Sequence, residues 1–135
     1  MLPYDEPNAT GIAALVDRFY DKVRVDPLLG PVFNAAVHDW AAHKRLLTAF
    51  WSSVVLRSGE YRGNPMAAHL PHPIRGEHFE RWLALWRETS GEVFADAAAD
   101  VFRDYAARIA RGLSLGLGLK PPGEARALGL PVRGA

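Results

Sequence analysis

Hydrophobic residues recur along this chain at intervals of three and four positions, the spacing of one face of an α-helix. The first such stripe predicts a helix that begins after the N-cap candidate Thr10 and ends near Val25. No segment shows the sustained alternation of apolar and polar residues that is typical of a β-strand. The stripe consists of Ile12, Leu15, Val16, Phe19, Tyr20 and Val23.

The same spacing predicts three more long helices, over residues 39–56, 75–93 and 95–115. Asp39 is a good N-cap for the second long helix, because its carboxylate can accept a hydrogen bond from a free amide of the first turn. The chain is therefore predicted to be all-α. One face of the second long helix carries His43, Leu47, Phe50, Trp51 and Val54.

Proline and glycine interrupt the helical pattern after the first helix. Pro27, Gly30 and Pro31 follow one another closely there, and both residue types favour turns. The pattern predicts a break in this segment, with Phe33 in a short turn and its side chain directed inward.

A short helical turn is predicted over residues 65–70, because Pro65 suits the first position of a helix. The prolines at positions 71 and 73 prevent this turn from continuing. His69 therefore stands at the end of a turn whose direction is fixed at a low cost in conformational entropy.

The length of 135 residues fits one domain, which we place at residues 1–117 with loose first residues and a Pro/Gly-rich disordered tail over 118–135. A net charge of +1 does not favour a nucleic-acid partner. The absence of cysteine excludes disulfides, iron–sulfur clusters and thiolate nucleophiles, and is typical of a reducing compartment. Neither a leader peptide nor an apolar stretch of roughly 20 residues for a membrane span is visible. We expect a cytoplasmic protein without a membrane partner.

Two histidines suggest a particular chemistry. His43 faces inward on the second long helix, and His69 is presented from the short turn. Imidazoles on two sides of an apolar, aromatic space suit a flat cofactor such as haem better than a metal ion held in a cage. His69 then suits the proximal iron position, whereas His43, Tyr20 and Trp82 can donate hydrogen bonds to a ligand on the opposite side.

Each of these residues also has an ordinary structural interpretation. A single histidine on an apolar helix face, such as His43, is usually a hydrogen-bonded core residue. Tyr20 and Trp82 are equally compatible with core packing, and His69 beside His72 is compatible with a surface loop. Taken one at a time, these residues do not decide between the two interpretations.

A metal site built from His69, His72 and His78 is a further alternative. The prolines on both sides of His72 remove the helical spacing that would bring the imidazoles together, and no carboxylate cluster completes the set. We expect His38, His72 and His78 to be surface or rim residues.

Four strings of the sequence stand in a distinctive order: FYDKVRVDPLLGPVFN at 19–34, HKRLLTAFW at 43–51, YRGNPMAAHL at 61–70 and HFERWLALW at 78–86. Together they resemble the truncated haemoglobins across residues 10–115. The double-glycine motifs that other truncated groups carry between pocket helices are missing, so the resemblance is to the third group.

This resemblance implies a shortened globin fold, a two-over-two helical sandwich, that holds haem b (iron protoporphyrin IX). It implies that His69 is the iron ligand and that Tyr20, His43 and Trp82 are the distal polar residues. The residues that would line or brace the haem are Phe19, Phe33, Leu47, Phe50 and Trp51.

These inferences predict a haem protein that binds oxygen, nitric oxide and carbon monoxide reversibly at ferrous iron. Each hydrogen bond to a charged group contributes about 1.5–3 kcal/mol, so three donors near one ligand predict slow oxygen release. Slow release disfavours a role in bulk oxygen transport. Two alternatives stay open. One is a haem-dependent redox enzyme, a nitric oxide dioxygenase or a peroxidase-like protein, served by an unidentified reductase. The other is a haem-free helical interaction module. We expect a monomer or a weak dimer.

Overall fold

The computed structural model describes residues 3–122, and the last 13 residues, which belong to the predicted tail, lie outside this range. The all-α prediction is confirmed, and no helix within the described range is long and apolar enough to cross a membrane. The helices are α1 (Ala9–Val25), α2 (Leu29–Ala36), α3 (Trp40–Leu56), α4 (Pro65–His69), α5 (Gly76–Val93) and α6 (Asp96–Gly116).

The helices form two crossed pairs. Helix α1 packs against α3, α5 packs against α6, and the two pairs meet where α1 crosses α5. The short helix α2 lies across the end of α1, and α4 contacts only α6 among the described helices. The two-over-two arrangement predicted from the sequence is therefore confirmed.

The helix starts follow from local side-chain caps. Asp39 caps α3 as predicted, since its carboxylate accepts a hydrogen bond from the Ala42 amide at 3.0 Å. Asn64 caps α4 in the same way, through the Ala67 amide at 3.1 Å. The predicted cap of α1 was wrong, because Asn8 rather than Thr10 accepts the hydrogen bond from the Gly11 amide. Asparagine and threonine are both good caps, so the sequence alone did not separate them.

The segment predicted as a break with Phe33 in a turn is instead helix α2. Pro31 is its third residue, where the amide hydrogen would have no partner inside the helix, so proline costs little there. Gly30 lets α2 approach the end of α1 closely, since a Cβ atom at this position would lie 3.0 Å from the carbonyl oxygen of Arg24. The residues that suggested a break therefore permit a tight corner followed by a helix.

A buried carboxylate fastens this corner. Asp26 accepts hydrogen bonds from the amides of Leu28 and Leu29 at 3.1 and 2.9 Å. It also pairs with Arg81 of α5 at 2.7 Å, and its own side chain is 3% exposed. The start of α2, and with it Phe33, is thereby tied to α5.

The segment before α1 is held by the end of α5. The amide of Tyr4 donates to the carbonyl of Val93, and the amide of Ala95 donates to the carbonyl of Tyr4, both at 2.8 Å. The Tyr4 and Phe94 rings also pack, with centroids 5.9 Å apart. Helical periodicity carries no signal for this contact.

Aromatic rings fill the space where the helix pairs cross. Trp86 of α5 is 1% exposed and stacks on Trp51 of α3, with ring centroids 4.5 Å apart. Its indole N–H donates to the carbonyl of Phe102 in α6 at 3.1 Å. Trp86 therefore joins three helices through one side chain and supports the floor of the cavity described next.

Candidate functional site

A cavity of about 220 Å³ lies beside this aromatic core. Side chains from all six helices and from the α3–α4 loop line it, and most of them are apolar. Within residues 3–122, no Asp, Glu, Lys or Arg lines the cavity. The polar groups that reach the cavity belong to Tyr20, His43, Tyr61, His69, His72, His78 and Trp82. This composition suits a large, mainly apolar ligand that needs a few hydrogen-bond donors or one imidazole ligand.

His69 is the last residue of α4, and a hydrogen bond within that helix orients its ring. The Nδ1 atom lies 2.6 Å from the carbonyl oxygen of Pro65. Because a carbonyl oxygen only accepts, Nδ1 carries the proton, and the neutral imidazole has its free lone pair on Nε2. A histidine that ligates a metal usually has this arrangement, with the second ring nitrogen donating to a carbonyl or carboxylate.

His43 lines the same cavity from α3. Its Nε2 atom is buried and has no hydrogen-bond partner within residues 3–122. Burial lowers the pKa of His43, and the nearby His69 lowers it further by charge repulsion. The ring meets Tyr20 and Trp40 edge-on, with centroids 5.5 and 5.6 Å apart. A neutral imidazole thus presents a polar atom without a protein partner to the cavity, which a ligand hydrogen bond would satisfy.

Tyr20 and Trp82 bring two further donors to the cavity. Tyr20 is 3% exposed, and burial raises the pKa of its phenol, while a hydrogen bond from Trp82 acts in the opposite direction. The phenol therefore stays protonated at any physiological pH. The ring centroids of Tyr20 and His43 are 5.5 Å apart. Tyr20, Trp82 and His43 therefore form one polar cluster in an otherwise apolar space.

The five apolar residues predicted to line or brace the haem differ in their position relative to the cavity. Phe33, Leu47, Phe50 and Trp51 line the cavity. Phe19 does not, because it lies behind Tyr20 and Trp82, with ring centroids 4.8 and 6.0 Å away. Its position matches bracing of the polar residues rather than direct contact with a ligand.

The sequence pattern did not predict several of the lining residues. Ile109 and Leu113 lie one turn apart on α6, and that spacing was the available signal. Tyr61 comes from the α3–α4 loop, and its ring meets Phe50 edge-on at 5.1 Å. No helical pattern marks a loop residue of this kind.

The predicted surface or rim position is wrong for His78. This residue is 6% exposed, and its Nδ1 accepts a hydrogen bond from the Arg75 amide at 2.8 Å. His72 is half-buried at the rim of the cavity, and His38 is exposed. In the part of the chain that the structure describes, no three His, Cys, Asp or Glu side chains converge as ligands for a metal ion.

Comparison with known proteins identifies this arrangement. The family model described as bacterial-like globin matches residues 7–103. The group 3 truncated haemoglobin of Campylobacter jejuni is 36% identical over 114 residues, which cover 81% of this chain and 90% of that protein. The chain belongs to the truncated haemoglobins. The group 2 truncated haemoglobin of Bacillus subtilis is 34% identical to this truncated haemoglobin over 94 residues, 67% of the chain and 70% of the relative.

A solved structure agrees with this membership. The crystal structure of the group III truncated haemoglobin from Campylobacter jejuni superposes with a TM-score of 0.82 at 36% identity. The match covers 86% of this truncated haemoglobin and 95% of that chain. The resemblance to the third group that the sequence suggested is therefore confirmed.

Membership of the globins implies a haem cofactor, and the cavity residues fit one. The lining is apolar, as a porphyrin requires. His69 has a free lone pair on Nε2, and the hydrogen bond from its Nδ1 to the Pro65 carbonyl fixes the orientation of the ring. The unpartnered Nε2 of His43 supplies a polar contact for a ligand.

Proposed function

We propose that this truncated haemoglobin holds haem b through the Nε2 of His69 and binds oxygen and other diatomic gases reversibly. The observation that carries the proposal is the 2.6 Å contact between His69 Nδ1 and the Pro65 carbonyl. The proton is then on Nδ1, and the basicity of Nε2, the nitrogen that would bind iron, is raised. Bound ferrous haem supplies an open coordination position for a small ligand.

The protein residues on the other side of the cavity would then control the ligand. Tyr20 stays protonated, so its hydroxyl can donate to a partly negative ligand atom. Trp82 and His43 each bring a further N–H group, and the apolar lining excludes water that would compete for these hydrogen bonds. Phe33, Leu47, Phe50 and Trp51 would pack against the porphyrin.

The number of donors favours a second candidate, which is redox chemistry on the bound ligand. Each hydrogen bond to a charged group is worth about 1.5–3 kcal/mol, so three donors would slow oxygen release strongly. Slow release suits nitric oxide dioxygenation or peroxidase-like turnover better than oxygen delivery. Such an activity needs electrons, so we include a separate reductase among the proposed partners.

A cytoplasmic location and a monomeric or weakly dimeric state complete the proposal. The absence of cysteine is compatible with the reducing cytoplasm. A haem-free interaction module is the competing interpretation, and it predicts that the protein does not take up haem.

The test is a titration of the purified apoprotein with haemin. We expect a Soret band that saturates at one haem per chain, and reduction under carbon monoxide should give the spectrum of a histidine-ligated carbonyl adduct. Nitric oxide consumption with a reductase and NADH then separates the gas binder from the dioxygenase. A protein that takes up no haem would refute both and favour the interaction module.

A further inference from the structure

Helix α4, which carries His69, is attached to the rest of the protein by few contacts. It has five residues, none of them fully buried, and α6 is the only described helix that it contacts. One side of α4 lines the cavity through Pro65, Ala68 and His69. The position of the His69 ring in the cavity therefore depends on how α4 sits against α6.

A close contact between the two helices joins Met66 of α4 to Gly116, the last residue of α6. A Cβ atom at position 116 would lie 2.8 Å from the Sδ atom of Met66 and closer still to its Cε atom. Both distances are shorter than a van der Waals contact between heavy atoms. The half-buried Met66 side chain therefore occupies space that any other residue at position 116 would need.

Backbone conformation does not explain the glycine at position 116. Its φ is not positive, unlike that of Gly118, and glycine destabilises a helix relative to alanine. The close approach is also confined to this position. At Gly112, one turn earlier, a Cβ atom would meet nothing within 4 Å beyond the surrounding helix backbone in the described part of the chain. The room left for Met66 is what distinguishes Gly116.

Met66 and His69 belong to the same helical turn, so a displacement of one moves the other. The carbonyl oxygen of Pro65 accepts the hydrogen bond from the Nδ1 of His69, which ties the ring to the backbone of α4. On the side of α6, Leu113 lies one turn before Gly116 and lines the cavity. The Met66–Gly116 contact thus connects the His69 ring to the opposite wall of the same cavity.

We propose that Met66 and Gly116 are positioning residues for His69, and that their contact holds the Nε2 atom at the depth in the cavity at which it binds haem iron. The inference rests on the proposed haem function. The strength of a metal–imidazole bond depends on the neighbours that orient the imidazole. The Pro65 carbonyl fixes the orientation of the ring, and the contact with α6 fixes the position of the whole helix. Loss of this contact should weaken the bond to iron, although neither Met66 nor Gly116 lines the cavity.

Three substitutions test the contact. Gly116→Ala places a methyl group in the space of the Met66 thioether, and Met66→Ala removes that thioether. Gly112→Ala is the matched control, because it makes the same change on the same helix at a position where the new Cβ meets open space. In the double variant Gly116→Ala/Met66→Ala both changes act through one contact, so their effects should not add.

The measurement is the iron–imidazole stretching frequency of each ferrous, haem-loaded protein, recorded by resonance Raman spectroscopy. The rate of haem transfer to excess apomyoglobin gives a second readout. Urea unfolding of each apoprotein reports the stability of the fold. Because the frequency reports the bond to iron itself, a loss of fold stability alone does not change it.

We expect Gly116→Ala and Met66→Ala to lower the frequency and to speed haem loss about threefold or more, whereas Gly112→Ala keeps the wild-type values. The double variant should shift no further than the larger single change. The positioning role would be overturned by a wild-type frequency in both single variants, by an equal shift in Gly112→Ala, or by additive shifts in the double variant. Each of these results leaves the haem function intact. A wild-type protein that takes up no haem would instead refute the haem function itself.

Discussion

The carbonyl oxygen of Pro65 accepts a hydrogen bond from the Nδ1 of His69, its partner at the other end of the five-residue helix α4. Pro65 opens the helix and cannot donate an amide hydrogen, but its carbonyl fixes the ring that closes the helix. One short element thus determines the direction, the tautomer and the basicity of the imidazole.

The first prediction is that His69→Ala loses haem. Removal of the imidazole whose Nδ1 donates to the Pro65 carbonyl should remove the Soret band of a stable complex or leave the haem weakly held. Added imidazole should restore a five-coordinate ferrous spectrum, because it can occupy the vacated space. His72→Ala is the control and should keep the wild-type spectrum. The assignment would be wrong if the two variants behaved in the opposite way.

The second prediction concerns the distal donors. Tyr20→Phe removes one hydroxyl with little change in volume, and Trp82→Phe removes the indole N–H together with some packing. Each should raise the oxygen dissociation rate about tenfold or more, since a hydrogen bond to a charged group contributes roughly 1.5 kcal/mol or more. Stopped-flow displacement of oxygen by carbon monoxide measures this rate. If both variants released oxygen at the wild-type rate, neither donor would reach the ligand.

Much of the fold was predictable because periodicity and caps are local. The long helices α3, α5 and α6 were predicted to within a residue or two, and Asp39 was identified as a cap. Helix α2 was missed because Gly30 and Pro31 were interpreted as breakers. Their effect depends on where the helix starts, and that start is set by Asp26 and Arg81, which are 55 residues apart in the sequence.

The family strings made part of the site predictable, but not all of it. His43, His69 and Trp82 were singled out, and the structure brings them to one cavity. The burial of His78 was not foreseen, because its hydrogen bond to the Arg75 amide exists only once α5 begins at Gly76. Tyr61 was missed since its loop has no periodic pattern.

The third prediction tests the role of His43. Tyr20 and Trp82 already supply donors, so we expect His43 to control access to the cavity. His43→Leu should then change the carbon monoxide association rate more than the oxygen dissociation rate. The opposite order would indicate a direct hydrogen bond from His43 to the ligand. A low-spin ferric spectrum that becomes high-spin in His43→Leu would show that His43 itself ligates iron.

The last prediction concerns the buried carboxylate at the α1–α2 corner. Burial alone would raise the pKa of Asp26, but hydrogen bonds from Arg81 and from the amides of Leu29 and Leu28 outweigh it and lower the pKa below its ordinary value. Asp26→Asn keeps an acceptor for the amides and loses the ion pair. It should reduce the free energy of unfolding at pH 7 by about 1–2 kcal/mol, since Arg81 is 45% exposed and the pair is partly screened.

The pH dependence of this loss follows from the direction of the pKa shift. Above the ordinary value of about 3.9, Asp26 is ionised in both states and its full contribution is present. As the pH falls below that value, the unfolded chain takes up the proton first, so the contribution shrinks until the folded protein is protonated too. Urea unfolding of the wild type and of Asp26→Asn should therefore differ at pH 7 and converge towards pH 3. A difference that stayed constant over this range would show that the Asp26 charge does not stabilise the corner.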